Sequence, residues 1–297
     1  MMRKPIIAGN WKMNNTVTEA MQLMKGLIPL VKGVRYTEIV VCPPATALAV
    51  VASAVHGKNI AVGAQNVHWE KSGAFTGEIA PAMLKELGVR CVIVGHSERR
   101  QYFGETDASV NKRARAALTA GLTPIICVGE ALATREKGTY KRFVARQVRL
   151  ALGGMTPGQI ARTVIAYEPV WAIGTGKTAT FEEAEEVCAH IRQTVAKLAG
   201  QAAADTLRIL YGGSVKPETI VGLMEKPNVD GALVGGAALK AKDFGAIVRY
   251  KAGGCVTPRG RRDNGKGYVS ALFDRDGGVF FSEECRLWLR LNQRQLC

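Results

Sequence analysis

The sequence predicts an α/β protein built as a closed (β/α)8 barrel, eight parallel strands ringed by helices, and three observations carry that expectation. Eight short apolar runs rich in β-branched residues recur over about the first 250 of the 297 residues. Each ends near a Gly, Asn, Cys or charged residue and is followed by a segment with helical patterning. The runs are apolar throughout rather than alternating, as expected for a parallel sheet covered on both faces, and closing such a sheet removes its exposed edges. An open doubly wound sheet is the alternative that pattern alone leaves standing.

In chain order, the strands fall at 5–11, 38–42, 60–64, 91–95, 124–129, 163–168, 207–212 and 231–235. Between them, helical patterns cover 16–31, 79–87, 106–120, 181–198 and 217–224. Thr180 before Phe181-Glu182-Glu183 is a capping-box signature, and Pro217 suits a first helical turn. The pattern stops near Tyr250, which divides the chain into a barrel domain, 1–250, and a C-terminal extension, 251–297. The extension holds nine Lys or Arg, five Asp or Glu, three cysteines and a loop-like run from Thr257 to Gly267. Nothing in it suggests a function.

Composition narrows the classes further. Hydrophobic residues at 47% and charged residues at 22% exclude a chain disordered throughout and a fibrous repeat. No apolar run approaches the roughly 18 residues that span a bilayer, and Met1-Met2-Arg3-Lys4-Pro5 lacks the apolar stretch of a secretory signal. A cytoplasmic protein with no membrane partner is expected. The seven cysteines are scattered, with no pair at zinc or redox spacing, and no His-Glu-x-x-His helix occurs, so neither metal nor disulfide framework is expected. The formal charge is +15, of which +11 belongs to residues 1–250. That surplus fits either a polyanion partner or an anionic small substrate. No base-reading motif accompanies it, so no specific nucleic-acid partner is expected.

In a barrel of this kind chemistry gathers where the strands end. The first run ends in Gly9-Asn10-Trp11-Lys12, the fourth in Gly95-His96-Ser97-Glu98, and the sixth in Tyr167-Glu168-Pro169. Taken singly, each of Lys12, His96 and Glu168 has an ordinary structural reading. Together at one barrel mouth they suit proton abstraction next to a carbonyl: a carboxylate takes the proton, an imidazole polarises the oxygen, and a cation holds the developing charge. Three glycine-bearing segments follow: Ile173-Gly174-Thr175-Gly176-Lys177, Tyr211-Gly212-Gly213-Ser214 and Leu233-Val234-Gly235-Gly236. Glycine lets backbone N–H groups approach a phosphate, and loops after strands seven and eight often bind one. Gly176-Lys177-Thr178 is not the end of a nucleotide P-loop, because Trp171 stands where its first glycine belongs.

These strings closely resemble the triosephosphate isomerase family. The resemblance runs from about Lys4 to Tyr250 through Gly9-Asn10-Trp11-Lys12-Met13-Asn14, Gly73-Ala74-Phe75-Thr76-Gly77-Glu78, Val94-Gly95-His96-Ser97-Glu98-Arg99-Arg100, Tyr167-Glu168-Pro169-Val170-Trp171-Ala172-Ile173-Gly174-Thr175-Gly176 and Tyr211-Gly212-Gly213-Ser214-Val215. It implies a TIM barrel that interconverts dihydroxyacetone phosphate and D-glyceraldehyde 3-phosphate, without cofactor, in glycolysis and gluconeogenesis. It implies Glu168 as base, His96 as neutral electrophile and Lys12 as cation. Substrate would be held by Asn10, Lys12, Gly174, Ser214, Gly235 and Gly236. Ile173 and Leu233 would press on the base, Cys127, Glu98 and Tyr211 would support the site, and a lid over 169–179 would close on it. A homodimer is implied, with loop 66–78 of one subunit entering its neighbour and Thr76 reaching the other's Asn10 and Lys12. Ala238 departs from the family, which often has Ser there, and the extension has no counterpart. Another sugar-phosphate barrel enzyme and a polyanion-binding protein are the competing readings.

Overall fold

The computed structural model describes residues 3–172 and 178–251, and the backbone of 271–273 and 279–281. The chain divides into two units, Met1–Val248 and Arg249–Cys297.

In the first unit, strands β1 (Ile6–Asn10), β2 (Glu38–Cys42), β3 (Ile60–Ala64), β4 (Cys91–Val94), β5 (Thr123–Val128), β6 (Val164–Tyr167), β7 (Arg208–Tyr211) and β8 (Gly231–Val234) form a closed barrel in chain order. The ring is sealed where Ile6–Gly9 pair in parallel with Gly231–Val234. Helices α1 (Val17–Val31), α2 (Leu48–Val55), α3 (Pro81–Glu86), α4 (Ser97–Tyr102), α5 (Asp107–Thr119), α6 (Leu132–Glu136), α7 (Tyr140–Leu152), α8 (Pro157–Ile160), α9 (Phe181–Ala199), α10 (Gln201–Thr206), α11 (Ile220–Met224) and α12 (Ala241–Val248) lie between and after the strands. In the second unit, β9 (Ala271–Phe273) and β10 (Val279–Phe281) pair antiparallel.

Alternation along each strand sorts its residues into two cores. Ile6 and Ala8, Val40 and Cys42, Cys91 and Ile93, Ile125 and Cys127, Val164 and Ala166, with Leu210 and Leu233, pack together as one buried cluster. Their strand neighbours, Ile7, Val41, Val92, Ile126, Ile165 and Ile209, are also buried, which is why the runs are apolar throughout. Each such aliphatic side chain contributes about 1.5–3 kcal/mol through removal from water. At Gly63 the missing side chain leaves room for two thiols: a Cβ there would lie 2.6 Å from Cys42 Sγ and 2.8 Å from Cys91 Sγ.

Caps and ion pairs fix the ends. Thr180 and Glu183 form the expected capping box on α9, and equivalent boxes start α1 at Thr16, α5 at Thr106 and α8 at Thr156. The helix near Pro217 starts later than the sequence suggests: α11 has Thr219 as its N-cap and Pro217 lies in the turn before it. The helix expected over 79–87 is trimmed to α3, with Pro81 in its first turn. Beneath the barrel seal, Asp230 accepts from Arg3 Nε (2.6 Å), Arg192 Nη2 (2.5 Å) and the Ile209 N–H (2.9 Å), tying both chain ends of the barrel together.

Candidate active site

Three strand ends deliver the expected groups to the same mouth. Asn10, the last residue of β1, is buried, and its Oδ1 accepts from the Lys12 N–H (3.0 Å). Gln65, just past β3, donates to the Lys12 carbonyl (2.8 Å). These two bonds hold Lys12 in a left-handed backbone conformation, φ 53°, uncommon for a residue with a side chain. The Lys12 ammonium lies 2.7 Å from Glu98 Oε1.

After β4 the chain turns sharply at Gly95, φ 70°, where a Cβ would come within 2.7 Å of Val110. Glu105, buried behind the turn, accepts from the Gly95 N–H (3.1 Å). The turn makes His96 the N-cap of α4, and its Nδ1 accepts from the Glu98 N–H (3.3 Å). An Nδ1 that accepts leaves Nε2 to carry the ring proton in the neutral form, and Nε2 lies 2.8 Å from Glu168 Oε1. Burial opposes charge on His96, but Glu168 and Glu98 outweigh it and raise its pKa above the ordinary value.

Glu168 follows β6 and is only 2% exposed. Its other oxygen accepts from the Ser97 N–H (2.9 Å), so both ends of the carboxylate are held by donors of one loop. Gly212 leaves it space: a Cβ at 212 would sit 2.9 Å from Glu168 Cγ. Cys127, fully buried on β5, lies beside Glu168, and burial followed by the Glu168 charge pushes its thiol pKa well up.

A cavity of about 540 Å³ joins these groups, lined on one side by Asn10, Lys12, His96 and Glu168 and on the other by Gly212, Ser214, Leu233, Gly235 and Gly236. The Lys12 side chain passes close to Gly235, whose Cβ position lies 3.6 Å from Lys12 Cε. Tyr211 is buried at the end of β7, and among the described residues its hydroxyl has no hydrogen-bond partner. A second cavity of about 280 Å³ shares Asn10, Lys12 and His96 and is lined also by Glu98, Met13 and Phe103. Thr76 lies in the exposed loop after β3 and lines neither cavity. Ile173, Gly174 and the rest of 173–177 in the expected lid lie outside the described residues.

Sequence reasoning missed Glu130. It is fully buried after β5 and accepts from Tyr167 Oη (3.1 Å) and Trp171 Nε1 (3.0 Å), with Arg135 at 3.4 Å. Burial raises its pKa. This carboxylate fastens the segment just after Glu168, and its only sequence signal is a charged residue directly following a strand. Ser97 and Gln65 were missed because they act through a backbone N–H and a long amide reach. Among the described residues no group of three or more His, Cys, Asp or Glu is placed to hold a metal, and no helix is long and apolar enough to cross a membrane.

A parallel eight-stranded barrel with carboxylate, imidazole and ammonium gathered beside glycine-bearing loops defines a (β/α)8 enzyme equipped for proton transfer. The triosephosphate isomerase family profile matches residues 5–251. Triosephosphate isomerases of Clostridium novyi and Moorella thermoacetica are each 59% identical over 249 residues, 84% of this chain and 99% of theirs. The crystal structure of triosephosphate isomerase from Bartonella henselae superposes with a TM-score of 0.76 at 40% identity, covering 84% of this chain and 99% of that one. The chain belongs to the triosephosphate isomerase family, whose function is the interconversion of dihydroxyacetone phosphate and D-glyceraldehyde 3-phosphate.

Proposed function

We propose that this barrel carries out the family's isomerisation with Glu168 as base, His96 as electrophile and Lys12 as the stabilising cation. The observation that carries the assignment is the single cavity holding all three opposite Ser214, Gly235 and Gly236. Substrate phosphate binds at the backbone N–H groups of Ser214, Gly235 and Gly236, with Gly174 joining them from the loop after Glu168. Its carbonyl then lies between Lys12 and His96.

Without substrate, Glu168 is engaged with Ser97 and His96. It turns off these donors to take a proton from the carbon next to the carbonyl, and the electron pair of that C–H bond moves onto the oxygen. His96 Nε2–H and the Lys12 ammonium meet the enediolate oxygen charge. His96 gives its Nε2 proton to the former carbonyl oxygen and takes one from the neighbouring hydroxyl, and return of the proton from Glu168 to the adjacent carbon then completes the isomerisation with no net change in atoms or charge. This division of labour is the established pattern of the family. Leu233, buried in the cavity wall, keeps water from the base. Glu98 positions Lys12 and the His96 tautomer, and Cys127 and Tyr211 pack behind the base and the phosphate loop.

The same reading makes the enzyme cytoplasmic and homodimeric. Met13, Tyr102, Phe103 and Phe75 are large apolar side chains exposed near the second cavity or on loop 66–78, and entry of that loop into a partner would cover them. Thr76 would then arrive beside the partner's Asn10 and Lys12.

The test is turnover of D-glyceraldehyde 3-phosphate by the full chain and by Glu168→Gln of verified fold. A loss of kcat of about 10²–10⁴-fold or more is expected, from removal of general base action. Activity within tenfold of the parent would eliminate Glu168 as the base.

A further inference from the structure

Inside the barrel, two thiols that the isomerisation does not use face each other across a glycine. Val41 pairs with Val62 and Gly63 with Cys91, so Cys42, Gly63 and Cys91 stand abreast on β2, β3 and β4. A Cβ at Gly63 would meet Cys42 Sγ at 2.6 Å and Cys91 Sγ at 2.8 Å, so both side chains lean over the glycine toward each other. Both belong to the apolar cluster of the barrel interior, where Cys42 is fully buried and Cys91 is 5% exposed. Hydrogen bonding with Cys91, and then burial, pushes the Cys42 thiol pKa well up. Cys127, a third thiol of this cluster, is hydrogen-bonded to Glu168 on the catalytic side. Cys91 is the first residue of β4, and with the first residues of five other strands it lines a cavity of about 60 Å³ at the barrel mouth opposite the catalytic one. Glu38 and Arg208, paired at 2.7 Å, also line that cavity, which gives a small ion a way in to Cys91.

We propose that Cys42 and Cys91 form a two-thiolate clamp for a single thiophilic divalent cation, mercury(II), in the barrel interior. The backbone spacing decides what can join the two sulfurs. Two strand steps of about 4.8 Å put their Cα atoms somewhat under 10 Å apart, beyond the roughly 6.8 Å that a disulfide spans. Replacing the S–S bond of about 2.05 Å by two metal–thiolate bonds of about 2.3 Å lengthens the bridge by about 2.5 Å and brings it to the span of this row. As the two S–Hg bonds form, the two S–H protons leave to solvent; no atom changes oxidation state, and the core stays neutral. Thiolates select soft ions, but copper(I) between two thiolates would leave a net negative charge in an apolar core. Zinc asks for four donors, and among the described residues no group of three or more His, Cys, Asp or Glu is placed to hold a metal.

The test loads the reduced full chain with mercury(II) chloride, chases it with excess glutathione and weighs the product by native mass spectrometry. Ions held by one thiol are stripped by the monothiol, whereas two thiols on one rigid frame act on the same ion at high effective concentration. The parent should keep one mercury and lose two protons. Cys42→Ala and Cys91→Ala, each checked for fold by circular dichroism, should keep at least tenfold less; Cys91→Val, which suits a strand and fills the core, gives the same reading if alanine loosens the barrel. Cys188→Ala, which removes a buried thiol of α9, and a triple variant, Cys255→Ser, Cys285→Ser, Cys297→Ser, should retain the ion as the parent does. Loss of the ion in either of these two, or its retention in a folded variant lacking Cys42 or Cys91, would overturn the proposal. A parent that keeps no mercury through the chase, or that keeps zinc(II) equally well, would overturn it too.

Discussion

Gly212→Ala tests how closely the bare backbone beside Glu168 sets the position of the base. The added methyl would lie 2.9 Å from Glu168 Cγ and 3.2 Å from the Tyr167 carbonyl oxygen, whereas ordinary contacts begin at 3.4 Å. The carbonyl is fixed in the sheet, so the flexible side chain gives way by about 0.5 Å. A misplacement of 1 Å in a catalytic constellation costs on the order of 10²-fold, so half of that costs about tenfold in kcat, or about 1.4 kcal/mol of barrier. Gly212 needs no left-handed backbone, so the substitution leaves the turn intact. A coupled isomerase assay should therefore show kcat down about tenfold with KM close to that of the parent. Gly158→Ala, where nothing lies within 4 Å of the new Cβ, serves as the silent control. An unchanged kcat in a folded Gly212→Ala enzyme would refute the positional argument, and a fall in KM affinity alone would move the effect to substrate binding.

Asp230→Ala removes the carboxylate shared by Arg3, Arg192 and the Ile209 N–H and leaves Arg192, 8% exposed, without its counter-charge; urea denaturation should show a loss of about 3–5 kcal/mol, while the kcat of the remaining folded enzyme is unaltered. The raised pKa of His96 has a definite sign in stability. The contribution is fully present below the unfolded value of about 6.5 and disappears as pH climbs through the higher native one, so the denaturation curves of the parent and His96→Gln should converge with rising pH, and a gap independent of pH would contradict the ion-pair origin. Met13, 96% exposed beside the second cavity, should be covered in the dimer. Sedimentation of Met13→Glu is accordingly expected to show monomers with depressed kcat, where the parent sediments at twice the chain mass.

The barrel was legible because each strand announces itself locally. An apolar run such as Cys91–Val94 between a Gly-Val turn and Gly95 needs no distant information to be read as buried on both faces. The start of α9 was equally plain, since Thr180 and Glu183 lie three residues apart and satisfy each other. Pro217 misled because proline permits a helix to start without compelling it, and the capping position fell to Thr219 instead. Among the proposed site residues, Asn10, Lys12, His96 and Glu168 stood out as polar groups at the ends of apolar runs. Glu130 ends a run as well, but its importance depends on Tyr167 and Trp171 meeting it from the next strand, a fact of strand order and not of local pattern. The meeting of Cys42 and Cys91 over Gly63 was hidden for the same reason.

The seal between β1 and β8 gives the cavity an all-or-none character. Asn10 and Lys12 come from the beginning of the chain, while Leu233, Gly235 and Gly236 come from the last strand of the ring, and Ile6–Gly9 meet Gly231–Val234 only when the circle is complete. Contacts separated by more than two hundred residues form late and slowly. A chain with seven strands in register therefore has most of its core but an incomplete pocket, and on the ribosome, where the N-terminal part is made first, the ammonium can pair with Glu98 yet waits for the final strand before Gly235 and Gly236 stand opposite it. Regained turnover during refolding is thus a clock for ring closure, set apart from the earlier appearance of helix and sheet.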